Sequence, residues 1–283
     1  MNLPDSQTMH PHERDGVVYY SFPLLEALPS VRHGFSTRLG GVSGGDFESM
    51  NLSFTRGDDP VLVRENFVRF CGAVGVPPEG VVVSAQEHHV TLYNATAADR
   101  GRGLDRERGY TDIDGLLTDE PGVVLCTQYA DCVPLFFADP IRRVVAASHS
   151  GWKGTVAQIG RVTVERMAAD YGCRREDIVA GVGPSIGPCC FEVDAPVYAA
   201  FAAMDVWNER FVRRKPGEKY LLDLWEVNRA VLLAAGLLPE HIAVAGLCTR
   251  CRPDVFWSHR AAGTRRGSLA AFIALAENED KGK

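Results

Sequence analysis

The chain has 283 residues, 46% of them hydrophobic and 23% charged, with a formal net charge of -6. That is ordinary globular composition, which excludes the disordered and fibrous classes. The acidic balance argues against nucleic acid as a partner, since that needs a concentrated basic face. The short clusters Arg213-Arg214-Lys215 and Arg265-Arg266 read as solvated loop charges.

The opening MNLPDSQTMHPHERDG has no apolar run, so it does not read as a signal peptide. Residues 1–15, with His10 and His12, are predicted to be a flexible tail. No stretch reaches the roughly 18 uninterrupted apolar residues of a membrane span. A cytoplasmic protein is expected, with its eight cysteines kept as thiols or metal ligands. Residues 16–22 and 33–37 read as short strands. Asp59 and Pro60 then open a helix to about residue 75, Asp59 as cap and Pro60 at the first helical position. Residues 81–86 have a buried-strand pattern. The charged, glycine-containing segment 95–111 reads as a mobile surface loop.

Three β-rich runs follow: VVLCTQYA (123–130), CVPLFFAD (132–139) and VVAASHS (144–150). After Gly151-Trp152-Lys153-Gly154, one long amphipathic helix is expected to about Tyr171. A strand at 178–184 leads into the Gly/Pro-rich PSIGPCC loop. Helices near 194–206 and 223–236 and strands near 242–248 and 268–275 complete the pattern. Strands and helices do not alternate regularly, and neither G-x-G-x-x-G after a strand nor a Walker A motif occurs. The reading is one α+β catalytic domain over 16–275 with mixed β-sheets, and a flexible C-terminal tail at 276–283.

His88, Cys132 and His149 lie at or near the ends of strands. Imidazole nitrogen and thiolate sulfur suit zinc, and three protein ligands with an open position describe a catalytic centre. Spacing by itself is weak evidence and also allows two satisfied polar histidines and a buried cysteine. The turn at Gly151 adds helix N-terminal N–H groups and Lys153 beside His149, which would favour an anion. Cys248-x-x-Cys251 has no second pair at zinc-finger spacing, so it and Cys189-Cys190 read as packing.

The segments HGFSTRLGGVS (33–43), NLSF (51–54), QEHH (86–89), DGLLTD (114–119), ADCVPLFFAD (130–139), ASHSGWKGT (147–155), GPSIGPCCFEV (183–193) and CTRCRPDVFWSHR (248–260) occur in order. Together they resemble the laccase-like family first called multicopper polyphenol oxidoreductases and now regarded as purine nucleoside phosphorylases, over roughly residues 16–275. The resemblance implies an α/β/β/α layered domain and places the metal ligands on His88, Cys132 and His149. It implies zinc, with copper as the alternative, and phosphorolysis of adenosine, inosine, guanosine and methylthioadenosine together with adenosine deamination. Purine nucleosides and phosphate are then the partners. Where QEHH departs from the family pattern, at Glu87 and His89, only one of the two neighbouring histidines can face the metal.

Phosphorolysis needs a cationic site for phosphate beside the ribose. Arg38 and Lys153 are candidates for phosphate, and Asn51 for substrate. Each has a plainer reading, as a surface charge or a turn former. Asp131 would face away from Cys132 in a regular strand and so stand behind it. The general acid/base is unassigned. The competing readings are a copper-dependent polyphenol oxidase and a non-catalytic nucleotide-binding protein.

Overall fold

The structure, a computed structural model, describes residues 3–276. In chain order it contains β1 (His10–Arg14), β2 (Val17–Ser21), α1 (Pro23–Glu26), β3 (Val31–Ser36), α2 (Pro60–Val74), β4 (Val81–Val83), β5 (Leu92–Asn94), β6 (Gly115–Thr118), β7 (Val124–Tyr129), β8 (Val133–Asp139) and β9 (Val144–Ser150). Then come α3 (Trp152–Val156), α4 (Ile159–Tyr171), β10 (Val179–Val182), β11 (Glu192–Asp194), α5 (Ala195–Ala202), β12 (Val212–Lys215), β13 (Lys219–Leu222), α6 (Leu224–Ala234), β14 (Ile242–Val244), α7 (His259–Ala262) and β15 (Leu269–Leu275). Two six-stranded mixed sheets form, in the orders β1-β2-β3-β15-β7-β4 and β14-β10-β8-β9-β6-β5, with a small third sheet β11-β13-β12.

The layering follows from side-chain alternation. Both faces of each large sheet are covered, so their central strands are apolar throughout rather than amphipathic. In β15, Leu269, Ala271 and Ile273 face a core shared between the sheets, while Ala270 and Phe272 face Val63, Phe67 and Phe70 of α2. In β8, Phe136 and Ala138 join the shared core, while Leu135 and Phe137 meet Ile159, Val164 and Met167 of α4 and Val227 and Val231 of α6. Helix, sheet, sheet, helix is the result. Truncating the fully buried Phe272 to alanine would cost about 3–5 kcal/mol. The α2 helix begins as its sequence predicts: the Asp59 carboxylate accepts from Val61 N, Pro60 stands at the first turn, and Gly75 ends it at φ 79°.

Three expectations are corrected. Residues 10–14 are not a tail but strand β1, paired antiparallel with β2, and His12 Nε2 lies 2.6 Å from Ser21 Oγ. The side chains of this edge strand are exposed nearly throughout, so the sequence carried no apolar signal there. The long helix to Tyr171 is broken at Gln158, which adopts φ 57°, so α3 has five residues. The 95–111 segment is fastened to β4 through Gly101 N to Val81 O and Val83 N to Arg102 O, each 2.9 Å. The expected C-terminal tail, apart from Ala276, lies outside the described residues. Among those described, no helix is long and apolar enough to cross a membrane.

Candidate metal centre and its two-lobed cleft

His88, Cys132 and His149 converge although they are far apart in the chain. Their donor atoms lie within 4.8 Å of one another. His149 is at the end of β9, and Cys132 precedes β8, the strand paired with it. His88 is not on a strand. It occupies a turn beyond β4 at φ 67°, a left-handed conformation uncommon for a residue with a Cβ. Its side chain is exposed, whereas His149 is buried and Cys132 half-buried, so the cluster is open on the His88 side.

One carboxylate holds this arrangement. Asp114, fully buried just before β6, accepts from the backbone N–H groups of Glu87, His88 and His89 at 2.8, 3.0 and 3.1 Å. The same carboxylate lies 2.9 Å from His149 Nδ1. Three N–H donors pin the strained turn, and the fourth contact fixes the imidazole with its Nε2 free for a cation, the usual carboxylate–histidine–metal relay. Burial raises the Asp114 pKa, but the His149 hydrogen bond and the backbone donors outweigh it and hold the group below the ordinary carboxylate value. His89 points away, with Nδ1 2.6 Å from Asp112 Oδ1 at the surface.

Charge also gathers at the sulfur. Burial raises the Cys132 pKa, but His149 and His88 pull it down to about 6. Burial lowers that of His149, while Cys132 and Asp114 raise it to about 9. The sulfur is thus a thiolate near neutral pH, the form that binds metal. Gly151 completes the fit, because a Cβ there would come within 2.9 Å of His88 Cδ2 and 3.2 Å of Cys132 Sγ. Two imidazoles, one thiolate, a fixed tautomer and an open side suit a zinc-class cation.

His88 and Cys132 lie at the neck between two lobes, and His149 faces one of them. A polar lobe of about 190 Å³ is lined by Arg56, Arg108, Arg266, Gln86 and Gln128 with Thr55, Ser84 and Ser268. A larger lobe of about 330 Å³ is lined by Trp152, Ile186, Phe191 and Leu224, with Asp131, His259 and Arg260 as polar groups that belong to it alone. Arg56, His88, Ala130, Cys132 and Arg266 border both.

Arg266 corrects the view of the Arg265-Arg266 pair as solvated. Arg265 is exposed and pairs with Asp46, but Arg266 is buried, and its Nε has no hydrogen-bond partner. Burial, then the neighbouring Arg56, lower its pKa to about 10. Arg266 Nη1 donates to Gly267 O at 2.8 Å, and the residue borders the cleft, where a buried guanidinium favours an anion.

The other anticipated residues lie elsewhere. Arg38 is spent on the backbone carbonyls of Glu48 and Pro253 and on the Trp257 ring, 3.7 Å from its Cζ. Asn51 is fully buried and ties Ser53, Asp58 and Ser268 together. Lys153 is exposed on α3. None of the three lines either lobe. Asp131, at φ 89° and outside any strand, accepts from Thr249 Oγ1 and Arg260 N, both at 2.6 Å, which anchors the residue preceding Cys132. Asp114 and the three arginines carried no distinct signal in the sequence, beyond Asp114 opening the DGLLTD segment.

A chain with this layered fold and this two-histidine, one-cysteine cleft matches the family described as multi-copper polyphenol oxidoreductase laccase over residues 32–276. The chain belongs to that family. It is 38% identical to purine nucleoside phosphorylase YlmD of Bacillus subtilis (strain 168), covering 86% of this chain and 88% of the relative. It is 35% identical to adenosine deaminase RL5 from an unknown prokaryotic organism, covering 82% and 90%. The crystal structure of YlmD from Geobacillus stearothermophilus superimposes with a TM-score of 0.88 at 34% identity, covering 95% of this chain and all of that one.

Proposed function

We propose that the protein is a zinc-dependent purine nucleoside phosphorylase that also deaminates adenosine. The observation that carries this reading is the cleft: a three-arginine polar lobe and an apolar lobe meet at His88 and Cys132, and His149, the third residue of the cluster, faces the polar lobe. The phosphorylase and deaminase names of the relatives above agree with it. Adenosine, inosine, guanosine and methylthioadenosine are the proposed nucleosides, and phosphate the co-substrate.

In this reading Arg56, Arg108 and Arg266 hold phosphate, the role first considered for Arg38 and Lys153. The mutual repulsion of Arg56 and Arg266 is relieved when a dianion enters, so the site prefers phosphate over a neutral ligand. The purine packs among Trp152, Ile186, Phe191 and Leu224, with His259 and Arg260 as the groups available to its polar edge. The ribose then spans the neck, and the apolar walls keep bulk water from competing with phosphate. His88, Cys132 and His149 would hold the cation, which supplies Lewis-acid charge and an acidified water for deamination. Asp114 keeps His149 oriented throughout.

The test is inosine incubated with the purified, metal-loaded protein with and without phosphate. Hypoxanthine and a phosphorylated ribose are expected when phosphate is present. Base release that ignores phosphate, or no release, overturns phosphorolysis. Ammonia from adenosine tests deamination separately.

Copper is the second reading, because two imidazoles and one thiolate are also ligands of a copper centre. Oxygen uptake with a phenol after copper loading would support it. Among the described residues no metal-competent group gathers more than two histidines, fewer than multicopper chemistry requires.

A further inference from the structure

Cys189, Cys190, Cys248 and Cys251 are not the packing residues their spacing suggests. Cys189 and Cys251 are exposed, the other two are half-buried, and all four are free thiols. The fold brings the pairs together by a local device. Ser185 and Cys248 form a parallel bridge, with Ser185 N donating to Leu247 O at 3.1 Å and Thr249 N to Ser185 O at 3.0 Å. Gly187 makes the close approach, since a Cβ there would fall 2.6 Å from the Trp225 ring and 3.2 Å from Cys248 Cβ. All four sulfurs then lie within 4.8 Å of one another. Cys251 Sγ is 3.4 Å from that of Cys189 and 3.5 Å from that of Cys190.

A tetrahedral cation with metal–sulfur bonds of about 2.3 Å sets sulfur–sulfur edges of about 3.8 Å, so the cluster needs little adjustment to hold one. Donors to the sulfurs are already in place. Gly187 N–H donates to Cys248 Sγ at 3.2 Å, and Arg250 Nη1 to Cys190 Sγ at 3.4 Å. Such N–H donors orient thiolate ligands and offset their charge.

We propose that these four cysteines form a second metal site, a closed tetrathiolate that holds one zinc-class divalent cation and staples the 183–193 segment to the 248–260 segment. Binding releases the thiol protons to solvent and requires no change of oxidation state. The staple sits directly behind the apolar lobe. Thr249, between two of the ligands, donates to Asp131, and Arg260 Nη1 donates to Cys190 O at 3.4 Å and Glu192 O at 3.1 Å. Ile186, Phe191 and Arg260 of that lobe therefore lie on the two segments the staple would hold together. The proposal stands whatever reaction the cleft performs.

The test uses the full chain carrying Cys132→Ser, which removes the sulfur of the first centre, loaded with cobalt(II). One tightly held cobalt with intense thiolate-to-metal charge transfer and tetrahedral visible bands is expected. Adding Cys248→Ser and Cys251→Ser should abolish that signature while circular dichroism stays unchanged. Absence of the charge-transfer band in the single variant, or its persistence in the triple variant, overturns the site. The unmodified protein gives a check that needs no variant. Zinc should slow alkylation of Cys189 and Cys251 at least about tenfold, because a metal-held thiolate is no longer free to react. Equal alkylation with and without zinc, or a disulfide among the four in protein kept from air, refutes the proposal.

Discussion

Asp114 and His149 are joined twice: the carboxylate lies 2.9 Å from His149 Nδ1, and the Asp114 carbonyl accepts from His149 N at 2.7 Å. The double link couples the imidazole to the turn that presents His88, because the same carboxylate takes three N–H donors from that turn. Asp114→Asn replaces one acceptor oxygen by a donor that opposes those N–H groups. It is expected to weaken metal binding about 10–100-fold and to destabilise the metal-free protein by about 1–3 kcal/mol. Competition with a chelator and thermal melting measure the two effects, and wild-type affinity in the variant would refute the relay.

Gly151→Ala separates the metal from the fold. Its φ of -66° and ψ of 171° suit alanine, so the backbone bears no strain. The added methyl instead meets His88 and Cys132. Metal content should fall sharply while the melting temperature of metal-free protein changes little. Full metal occupancy by elemental analysis would contradict this.

The thiolate–imidazole pair predicts a pH signature. Cys132 is lowered from 9.0 to about 6, so its contribution to stability is complete above 9.0 and is lost as pH falls through about 6. His149 is raised from 6.5 to about 9, so its contribution is complete below 6.5 and is lost as pH rises through about 9. Between those limits the two slopes oppose each other, so the pair's stabilisation is nearly level there and falls on the acid side, where the thiol is protonated in both states. The melting temperature of wild type minus that of Cys132→Ser should therefore be nearly constant from about pH 6.5 to 9 and shrink below about 6. Metal binding in the same window should also release the His149 proton, visible by calorimetry in buffers of different ionisation enthalpy.

Arg266→Met should part stability from binding. The buried guanidinium carries a desolvation burden and an unpartnered Nε, so its removal should leave the melting temperature unchanged or higher. Loss of a charged hydrogen bond to phosphate, about 1.5–3 kcal/mol, should raise the phosphate KM roughly 10–100-fold. Arg265→Met, at an exposed pair with Asp46, should do neither. An unchanged phosphate KM in Arg266→Met would remove this arginine from the phosphate site.

The layered core was readable in advance because strands covered on both faces must be apolar at every position, as 133–137 and 269–275 are. His88, Cys132 and His149 stood out because few side chains bind soft cations, and their motifs recur in order. The arginines did not, since a guanidinium in a loop has the same local sequence whether solvent or a cleft receives it. For that reason Arg38, expected at a phosphate site, is spent on backbone carbonyls, and Arg266, expected in solvent, is buried beside the cleft. Edge strand β1 escaped because exposed strand residues look like a tail.

The sequence by itself determined the alternation that makes two sheets and the three residue types able to grip a metal. Tertiary structure decided what surrounds them: Asp114 as the shared acceptor, three arginines converging from residues 56, 108 and 266, and four cysteines meeting across two loops. Those relations depend on chain segments far apart in sequence, and local periodicity carries no information about which distant segment a side chain will face.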